Sequence, residues 1–380
     1  MRVLHVLEAM GGGTRRHVLD LLPALQKRGV ACTLAVSPHR NWPGSETFAR
    51  DVRALRGFGV RVETLPMPRS LRSGKSLRAL IQLQSEGFDV VHAHSSVAGA
   101  LARMARAVAK APVVYTPHCI AFETGLPPRQ RRAARLLEQF LAPLTSHFIA
   151  VSQHEKRAIL SRKLCAENRV STIHNGVDLS AFDALPNRAR DEFQLDGNDF
   201  VIGCFGRLTK QKNQIALVRA LPDVLQLVPN AKLFFVGDGE DESMLRNVAR
   251  NSGVLSRIAW AGAQSEARDL YALCDVVAQP SRWEGCPYVV LEAMAARKVV
   301  IARRVGGVGE IVENLYGEDA YGAAYPPQND ELAYWICEAA KDTRWRQNTE
   351  SAARQRVEES FTLEQMVEST TAVYARCIGK

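Results

Sequence analysis

The chain has no window of eighteen or so uninterrupted apolar residues, the length that a membrane-spanning helix requires, which argues against a helical integral membrane protein. Its start, "MRVLHVLEAMGGG", reads as a buried strand entering a loop rather than as a signal peptide, so a cytoplasmic protein is expected. Eight cysteines are scattered with no CxxC pair, several inside apolar runs, a pattern of reduced core thiols rather than of disulfides or a structural zinc. Aromatic residues make up only 7% and no RNP, KH or helix-turn-helix signature is present, so a nucleic-acid partner is not expected. No full GxGxxG with a following acidic residue occurs, which speaks against a dehydrogenase. There is no DxD-type acidic cluster to hold a metal. The nearest run, "GDGEDE" (237–242), reads as a strand-to-helix turn with acids at a helix start.

What is there amounts to 380 residues with 46% apolar and 23% charged, enough for two globular domains. Residues 1–183 carry 26 basic and 13 acidic side chains, and the remainder carries 23 and 27. A basic half joined to a mildly acidic one suggests that the first faces something anionic. In that half, apolar runs at 2–7, 31–37, 60–66, 89–95, 112–118 and 147–152 alternate with helical patterns. The rhythm restarts with runs at 201–207, 231–239, 257–262, 275–281 and 298–304. Strand and helix in alternation predict parallel sheets covered on both faces, an α/β doubly wound arrangement occurring twice. The boundary is expected at 185/186, in a linker near Leu185–Asn198, giving domains 1–185 and 186–380. A last helix of about 363–377 is free to pack back on the first domain. Ligands of open α/β sheets bind beyond the carboxyl ends of their strands, so the site is expected in a cleft between two such edges.

The stretch "SRWEGCPYVVLEAMAARKVV" (281–300) holds two glutamates, Glu284 and Glu292, either side of a helix start. A helix is expected from Pro287 to about Arg297, with proline in its first turn and free N–H groups that attract phosphate. Eight steps at about 1.5 Å separate the carboxylates by up to roughly 12 Å. That is too far to share a proton and longer than the roughly 5–9.5 Å of glycosidase pairs. It suits a ligand with hydroxyl clusters at two ends and a diphosphate between, the layout of a nucleotide sugar. "GRLTKQKNQ" adds Arg207 at a strand end and Lys212 near the next helix, two cations able to hold a diphosphate. "MGGGTRRH" and "RVGGVGEIV" are glycine loops after strands, where backbone can approach a ligand.

Together these segments resemble the retaining glycosyltransferases of family 4, which have the GT-B fold of two Rossmann-like domains facing across a cleft. The resemblance runs through "GGGTRRHVLDL", "VHAHSSVAG", "YTPH", "HNGVD", "GRLTKQK", "VGDGE", "WAG", "EGCPYVVLEAMA" and "VGGVGEIV", in the family's order. It implies that Glu284 meets the transferred sugar, Glu292 the ribose, and Arg207 and Lys212 the diphosphate. It further implies that Gly12 and Gly13 approach the phosphates and that His118 lies by sugar and acceptor. Backbone of Cys286, Pro287 and Tyr288 would line sugar and phosphate, and the segment around Arg257 and Ile258 the base. Taken alone, His118 would read as a strand-end histidine satisfied by a neighbour, and His94 is not assigned to the ligand. Where the family carries glycine and proline after the second glutamate, this chain has Arg297 and Lys298, a change at the helix's far end that touches packing before chemistry.

By the same resemblance, a hexose or N-acetylhexosamine moves from a nucleotide sugar, UDP most frequently, to a glycan or polyprenyl-linked acceptor in cell-surface polysaccharide synthesis. The resemblance implies retention of anomeric configuration. With no clear carboxylate nucleophile, and with Arg207, Lys212 and two helix ends to cover the diphosphate, same-face substitution without cofactor or metal is expected, and domain closure would exclude water. A UDP-sugar 2-epimerase of the same architecture is the competing enzyme. The segment Leu126–Leu144 gathers Arg129, Arg131, Arg132 and Arg135 ahead of Leu136, Leu137, Phe140, Leu141 and Leu144. With "RSLRSGKSLRAL" (69–80), it suggests peripheral contact with an anionic membrane at the inner face of the plasma membrane.

Overall fold

The computed structural model describes every residue except 39–44, 68–73, 184–187, 314–321, 326–330 and 380. Two compact units divide the chain, Met1–Asn175 with Leu363–Lys380, and Gly176–Thr362. The expected boundary at 185/186 falls inside the second unit. Residues 185–187 of the expected linker, and 69–73 of the basic segment before the third helix, lie outside the described residues.

The first unit runs β1 (Arg2–Leu7), α1 (Gly12–Lys27), β2 (Ala31–Val36), α2 (Ser45–Gly57), β3 (Arg61–Thr64), α3 (Gly74–Gln84), β4 (Val90–His94), α4 (Ser96–Ala109), β5 (Val113–Thr116), α5 (Pro128–Leu141), β6 (His147–Ala150), α6 (Gln153–Ser161) and β7 (Val170–Thr172). Its seven strands order as β3-β2-β1-β4-β5-β6-β7, and their pairings are parallel. The short edge strand β7 follows the six anticipated runs; at three residues it carries too little alternation to stand out.

Period-two geometry divides each strand between two cores. In β1, Leu4 and Val6 pack with α3 and α4, while Val3 and Leu7 pack with Val18, Leu21 and Leu25 of α1. That second core also takes Met366, Val367, Val373 and Tyr374 from the chain's last helix, Leu363–Ile378. Below α4, a fully enclosed Arg103 pairs bidentately with Glu138 of α5 at 2.7 and 3.3 Å, and Tyr115 of β5 donates to the same carboxylate at 3.1 Å. Removing one partner of such a buried pair costs about 3–5 kcal/mol, so this triad fixes which face of α5 turns inward.

The second unit begins with α7 (Ser180–Asp183) and continues β8 (Phe200–Phe205), α8 (Ile215–Leu227), β9 (Ala231–Val236), α9 (Glu242–Asn251), β10 (Ile258–Gly262), β11 (Val276–Gln279), α10 (Tyr288–Ala295), β12 (Val299–Arg303), α11 (Val308–Val312), β13 (Ala323–Tyr325), α12 (Leu332–Lys341) and α13 (Thr343–Ser360); the last helix above is α14. Its strands order as β10-β9-β8-β11-β12-β13, with parallel pairings. Phe200, Ile202 and Cys204 of β8 point into a core shared with Leu217 and Leu221 of α8 and Ile336 of α12. Among the described residues no helix is long and apolar enough to cross a membrane.

The expected helix from Pro287 to Arg297 is shorter at both ends. Pro287 stands as the N-cap with extended backbone (ψ 122°), and the last helical residue is Ala295. Two reversed bonds close the C-terminus: Arg297 N–H donates to the Met294 carbonyl at 3.0 Å and Lys298 N–H to Ala293 at 2.9 Å. This Schellman closure puts its C′ residue in the left-handed region, and here that residue is an exposed Arg297 at φ 56°. A side chain there costs about 1–2 kcal/mol relative to right-handed backbone. Arg297→Gly is therefore expected to stabilise the second unit by about 1 kcal/mol, read as a higher urea midpoint with unchanged slope.

Candidate functional site

Loops from the carboxyl ends of β8, β11 and β12 come together in the second unit. After β8, Gly206 turns with φ 116° and Arg207 is exposed, its carbonyl accepting from Gln214 Nε2 at 2.9 Å. Lys212, five residues on, donates from Nζ to Glu284 Oε1 at 2.7 Å. Gln279, the last residue of β11, donates to the same oxygen at 3.3 Å and to Ser281 Oγ at 2.9 Å. The Lys212 and Glu284 side chains are 17% and 8% exposed, so the pair sits in a partly dehydrated recess where its attraction is screened less than at an open surface.

The two loops are also stitched through backbone. Gln211 Nε2 donates to the Trp283 carbonyl at 3.1 Å, Arg282 N–H returns to the Gln211 carbonyl at 2.8 Å, and Asn213 Nδ2 reaches the Pro280 carbonyl at 3.0 Å. The glycine loop after β12 closes the third side. Gly306 has φ 55° and a Cβ there would overlap the Glu284 carbonyl oxygen, while Gly307 N–H donates to Gly285 O at 3.0 Å. Only glycine lets this backbone lie against the Glu284 loop.

Cys286, Pro287 and Tyr288 are buried where the loop enters α10, whose N-terminus has no side-chain cap. On α10, Glu292 accepts from Tyr271 Oη at 3.0 Å. Tyr271 is fully enclosed and stacked on Phe205 of β8, with ring centroids 4.0 Å apart. Lys212, Glu284, Cys286–Tyr288 and Glu292 thus belong to one edge of the sheet, with Arg207 at the same strand ends. Arg257 and Ile258 do not. Arg257 is exposed in a short turn before β10 and Ile258 opens that strand, paired with Leu233. Five residues at about 3.3 Å each separate that end from the edge at the carboxyl ends of the strands. The part of β10 that reaches the edge is Gly262, whose carbonyl accepts from Gly237 N–H at 2.8 Å.

In the first unit, the glycine segment after β1 becomes the opening of α1. Gly12, at φ 55°, and Gly13 form its first turn, behind an N-cap Gly11 that offers no side chain. Glu8 turns away to accept from Val97 and Ala98 N–H at 2.7 and 3.2 Å, satisfying the start of α4.

Beside this turn lies a cluster of five histidines. His5 of β1 and His92 of β4 are register partners, and Leu7 pairs with His94. Residues two apart in a strand share a face, so His5, His92 and His94 all point toward α1, which contributes His17, and toward α14. His94 Nε2 contacts His5 Nδ1 at 3.2 Å, and His94 Nδ1 contacts His118 Nε2 at 3.1 Å. His92 is held by Tyr374 Oη at 2.5 Å and Thr116 Oγ1 at 2.8 Å, and His17 Nδ1 meets Asn175 Oδ1 at 3.1 Å. Burial pushes His5 down to about 3 and His17 to about 4, and holds His92, His94 and His118 well below the usual range. All five are neutral at pH 7.

Two trios, His5–His92–His94 and His17–His94–His118, bring ring nitrogens within 4.8 Å of one another, close enough to suggest a metal. Both trios share His94, whose two nitrogens are already committed to imidazoles, and His92 is committed to Tyr374 and Thr116. The arrangement is a hydrogen-bonded network rather than a set of lone pairs aimed at one point.

The turn carrying His118 is strained. His118 and Cys119 have φ 55° and 92°, and Ser95, after β4, has φ 69°. Such conformations cost about 1–3 kcal/mol each and persist where surrounding contacts over-determine them. Glu155 in the first turn of α6 supplies one: it accepts from Cys119 N–H at 2.9 Å and Val151 N–H at 2.8 Å. Burial raises its carboxyl to about 7 against these bonds.

A family model described as "Glycosyltransferase Family 4" matches residues 11–181, and "Glycosyl transferases group 1" matches 187–356, so the two cover most of both units. A UDP-Gal:α-D-GlcNAc-diphosphoundecaprenol α-1,3-galactosyltransferase of Escherichia coli is 31% identical over 65% of this chain and 66% of its own length. The chain belongs to glycosyltransferase family 4. A 41.2 kDa protein of the Klebsiella pneumoniae cps region is 26% identical over 98% of this chain and 99% of its own. Among solved structures, Anabaena HepE in complex with UDP-glucose superposes with TM-score 0.83 at 23% identity, covering 99% of this chain and all of that one. The two Rossmann-like units are those of the GT-B fold.

For this family 4 glycosyltransferase, sequence reasoning missed Gln279, Tyr271 and the histidine network. The spacing "HAH" on a strand was a usable signal for a shared face; that His5 joins it depends on register, which only the folded sheet provides. The network makes the first unit sensitive to acid. A histidine whose folded pKa is depressed adds stability above about pH 6.5 that is lost as pH falls, at about 1.4 kcal/mol per pH unit each. Glu155, raised when folded, acts oppositely between its ordinary carboxyl range and about 7. Five histidines outweigh one carboxyl, so the urea midpoint of the first unit is expected to fall steeply from pH 6.5 to 5. Glu155→Gln should steepen that fall and His92→Gln flatten it, each by about one proton's slope. A midpoint flat across this range would contradict the burial of neutral imidazoles.

Proposed function

We propose that this enzyme transfers a hexose or N-acetylhexosamine from a UDP-sugar to a lipid-linked or glycan acceptor in polysaccharide synthesis, retaining anomeric configuration and using no metal. The observation that carries it is the Lys212–Glu284 contact of 2.7 Å at the carboxyl ends of β8 and β11. A cation and a hydroxyl-binding carboxylate in contact match the point in a nucleotide sugar where diphosphate meets sugar. The Escherichia coli relative is named for UDP-galactose and a diphosphoundecaprenol acceptor, and the HepE complex contains UDP-glucose; both support the choice of donor.

In this reading the EGxPxxxLEAMA segment works as one piece. Glu284 takes sugar hydroxyls and Glu292, oriented by Tyr271, takes the ribose. Backbone of Cys286, Pro287 and Tyr288 lines sugar and phosphate. Arg207 and Lys212 neutralise charge building on the diphosphate as the anomeric C–O bond breaks. The acceptor hydroxyl attacks from the same face, and its proton passes to the departing phosphate oxygen. No carboxylate is needed as a nucleophile. Gly12 and Gly13 serve the phosphates and His118 a sugar or acceptor oxygen, while the base falls to the β10 end near Gly262 rather than to Arg257 and Ile258.

Helix α5 supports a membrane-proximal acceptor. It buries Glu138 and leaves Leu136, Leu137 and Phe140 exposed, Phe140 at 77%, below the exposed Arg129, Arg131 and Arg132. Arg135 is half-buried, Leu144 is half-buried and Leu141 belongs to the core. An outward apolar patch under arginines suits an anionic bilayer surface.

UDP at a hundredfold excess over its Kd is expected to stabilise the protein by about 2.7 kcal/mol, with GDP and ADP doing far less. In EDTA, transfer should persist and Lys212→Ala should lower it by about 10²–10³. Glu284→Gln should lower transfer while leaving the UDP-induced thermal shift. Equal loss of that shift, a strict Mg²⁺ requirement, or epimerised donor in the absence of acceptor would each contradict the reading. In flotation, vesicles containing phosphatidylglycerol should carry the protein several-fold better than neutral ones, and Leu136→Ser/Phe140→Ser should abolish the difference; binding indifferent to lipid charge would remove the membrane role.

A further inference from the structure

We propose that His5 and His94 act as positioning residues that fix His118 as a hydrogen-bond donor: the chain His5 Nδ1–H to His94 Nε2, then His94 Nδ1–H to His118 Nε2, leaves the proton of His118 on Nδ1. A neutral imidazole has one N–H and one lone pair. Three rings joined by two contacts, at 3.2 and 3.1 Å, therefore admit only two orderly arrangements, with every donor pointing toward His118 or every donor pointing toward His5. Any other choice sets two N–H groups or two lone pairs against each other.

The inner end decides between them. His5 is fully enclosed, and among the described residues its Nε2 has no hydrogen-bond partner. If the donors ran toward His5, that nitrogen would carry a buried N–H with nothing to accept it. Orphaned buried donors are rarer than orphaned acceptors, and leaving a polar group unsatisfied costs about 1–3 kcal/mol. With donors running outward, His5 Nε2 carries only a lone pair, and the N–H appears at His118, which unlike His5 and His94 retains some exposure. Neighbouring rings do not interrupt the chain: His92 is engaged by Tyr374 and Thr116, and His17 by Asn175. Burial keeps all three rings uncharged, so the count of one proton per ring holds at neutral pH.

Resting on the transferase reading, the consequence is that His118 offers an N–H to an oxygen of the donor or acceptor and cannot accept the acceptor's proton through that nitrogen. Deprotonation then belongs to the leaving phosphate. The test is two-bond ¹H–¹⁵N correlation on the full chain labelled with ¹⁵N-histidine at pH 7.5, the His118 signals identified by their loss in His118→Gln. The Nδ1–H tautomer is expected in the wild type, and His5→Leu, which removes the first donor, should give mixed tautomers and a kcat lowered roughly tenfold with donor KM within about twofold. An Nε2–H tautomer in the wild type overturns the proposal even if the variant does not fold, as does an unchanged pure tautomer in a folded His5→Leu. The expected tautomer in a protein that transfers no sugar would leave the wiring standing and remove the transferase reading instead.

Discussion

Everything chemical in this chain follows from one constraint: the strands of both sheets run parallel. Parallel neighbours cannot be joined by tight turns, so crossovers bury the sheet faces and return the chain to the same end. The loops at the carboxyl ends therefore accumulate along one edge of each sheet. In the second unit that edge receives Gly206–Lys212, Ser281–Tyr288 and Gly306–Gly307, segments separated by as much as a hundred residues. Glu284 reaches Lys212 because β11 lies beside β8 in the sheet, not because of any closeness in sequence.

The two units use this edge differently. The second places opposite charges in contact and surrounds them with backbone and amides, an arrangement suited to a ligand carrying both hydroxyls and an anionic bridge. The first places uncharged imidazoles, made neutral by enclosure, behind a strained turn. Strain at Ser95, His118 and Cys119 is supported by specific bonds, among them Ser95 N–H to the Thr116 carbonyl at 3.0 Å and Glu155 to Cys119 N–H.

Helix α5 shows the same economy of buried charge. Its one inward acid is matched by Arg103 and Tyr115, which frees the apolar residues of its last turns to face outward. The apolar residues grouped by the sequence reading are divided in the fold: Leu141 belongs to the core, while Leu136, Leu137 and Phe140 stay exposed.

The sequence by itself determined the repeated α/β rhythm, the motifs and which residue types they carry, because strand and helix periods and glycine turns are local properties. Arg207 at a strand end, Lys212 in the loop that follows it, Glu284 in a loop and Glu292 on a helix could be placed for that reason. Strand order, register and the pairing of distant loops were decided only in the tertiary structure. Register joined His5 to His92, the direction of β10 carried Arg257 and Ile258 to the far end of the sheet, and α14 returned to the first unit to hold His92 through Tyr374. None of these leaves a local mark, since each depends on hydrogen bonds and burial between segments that meet only after the chain has folded.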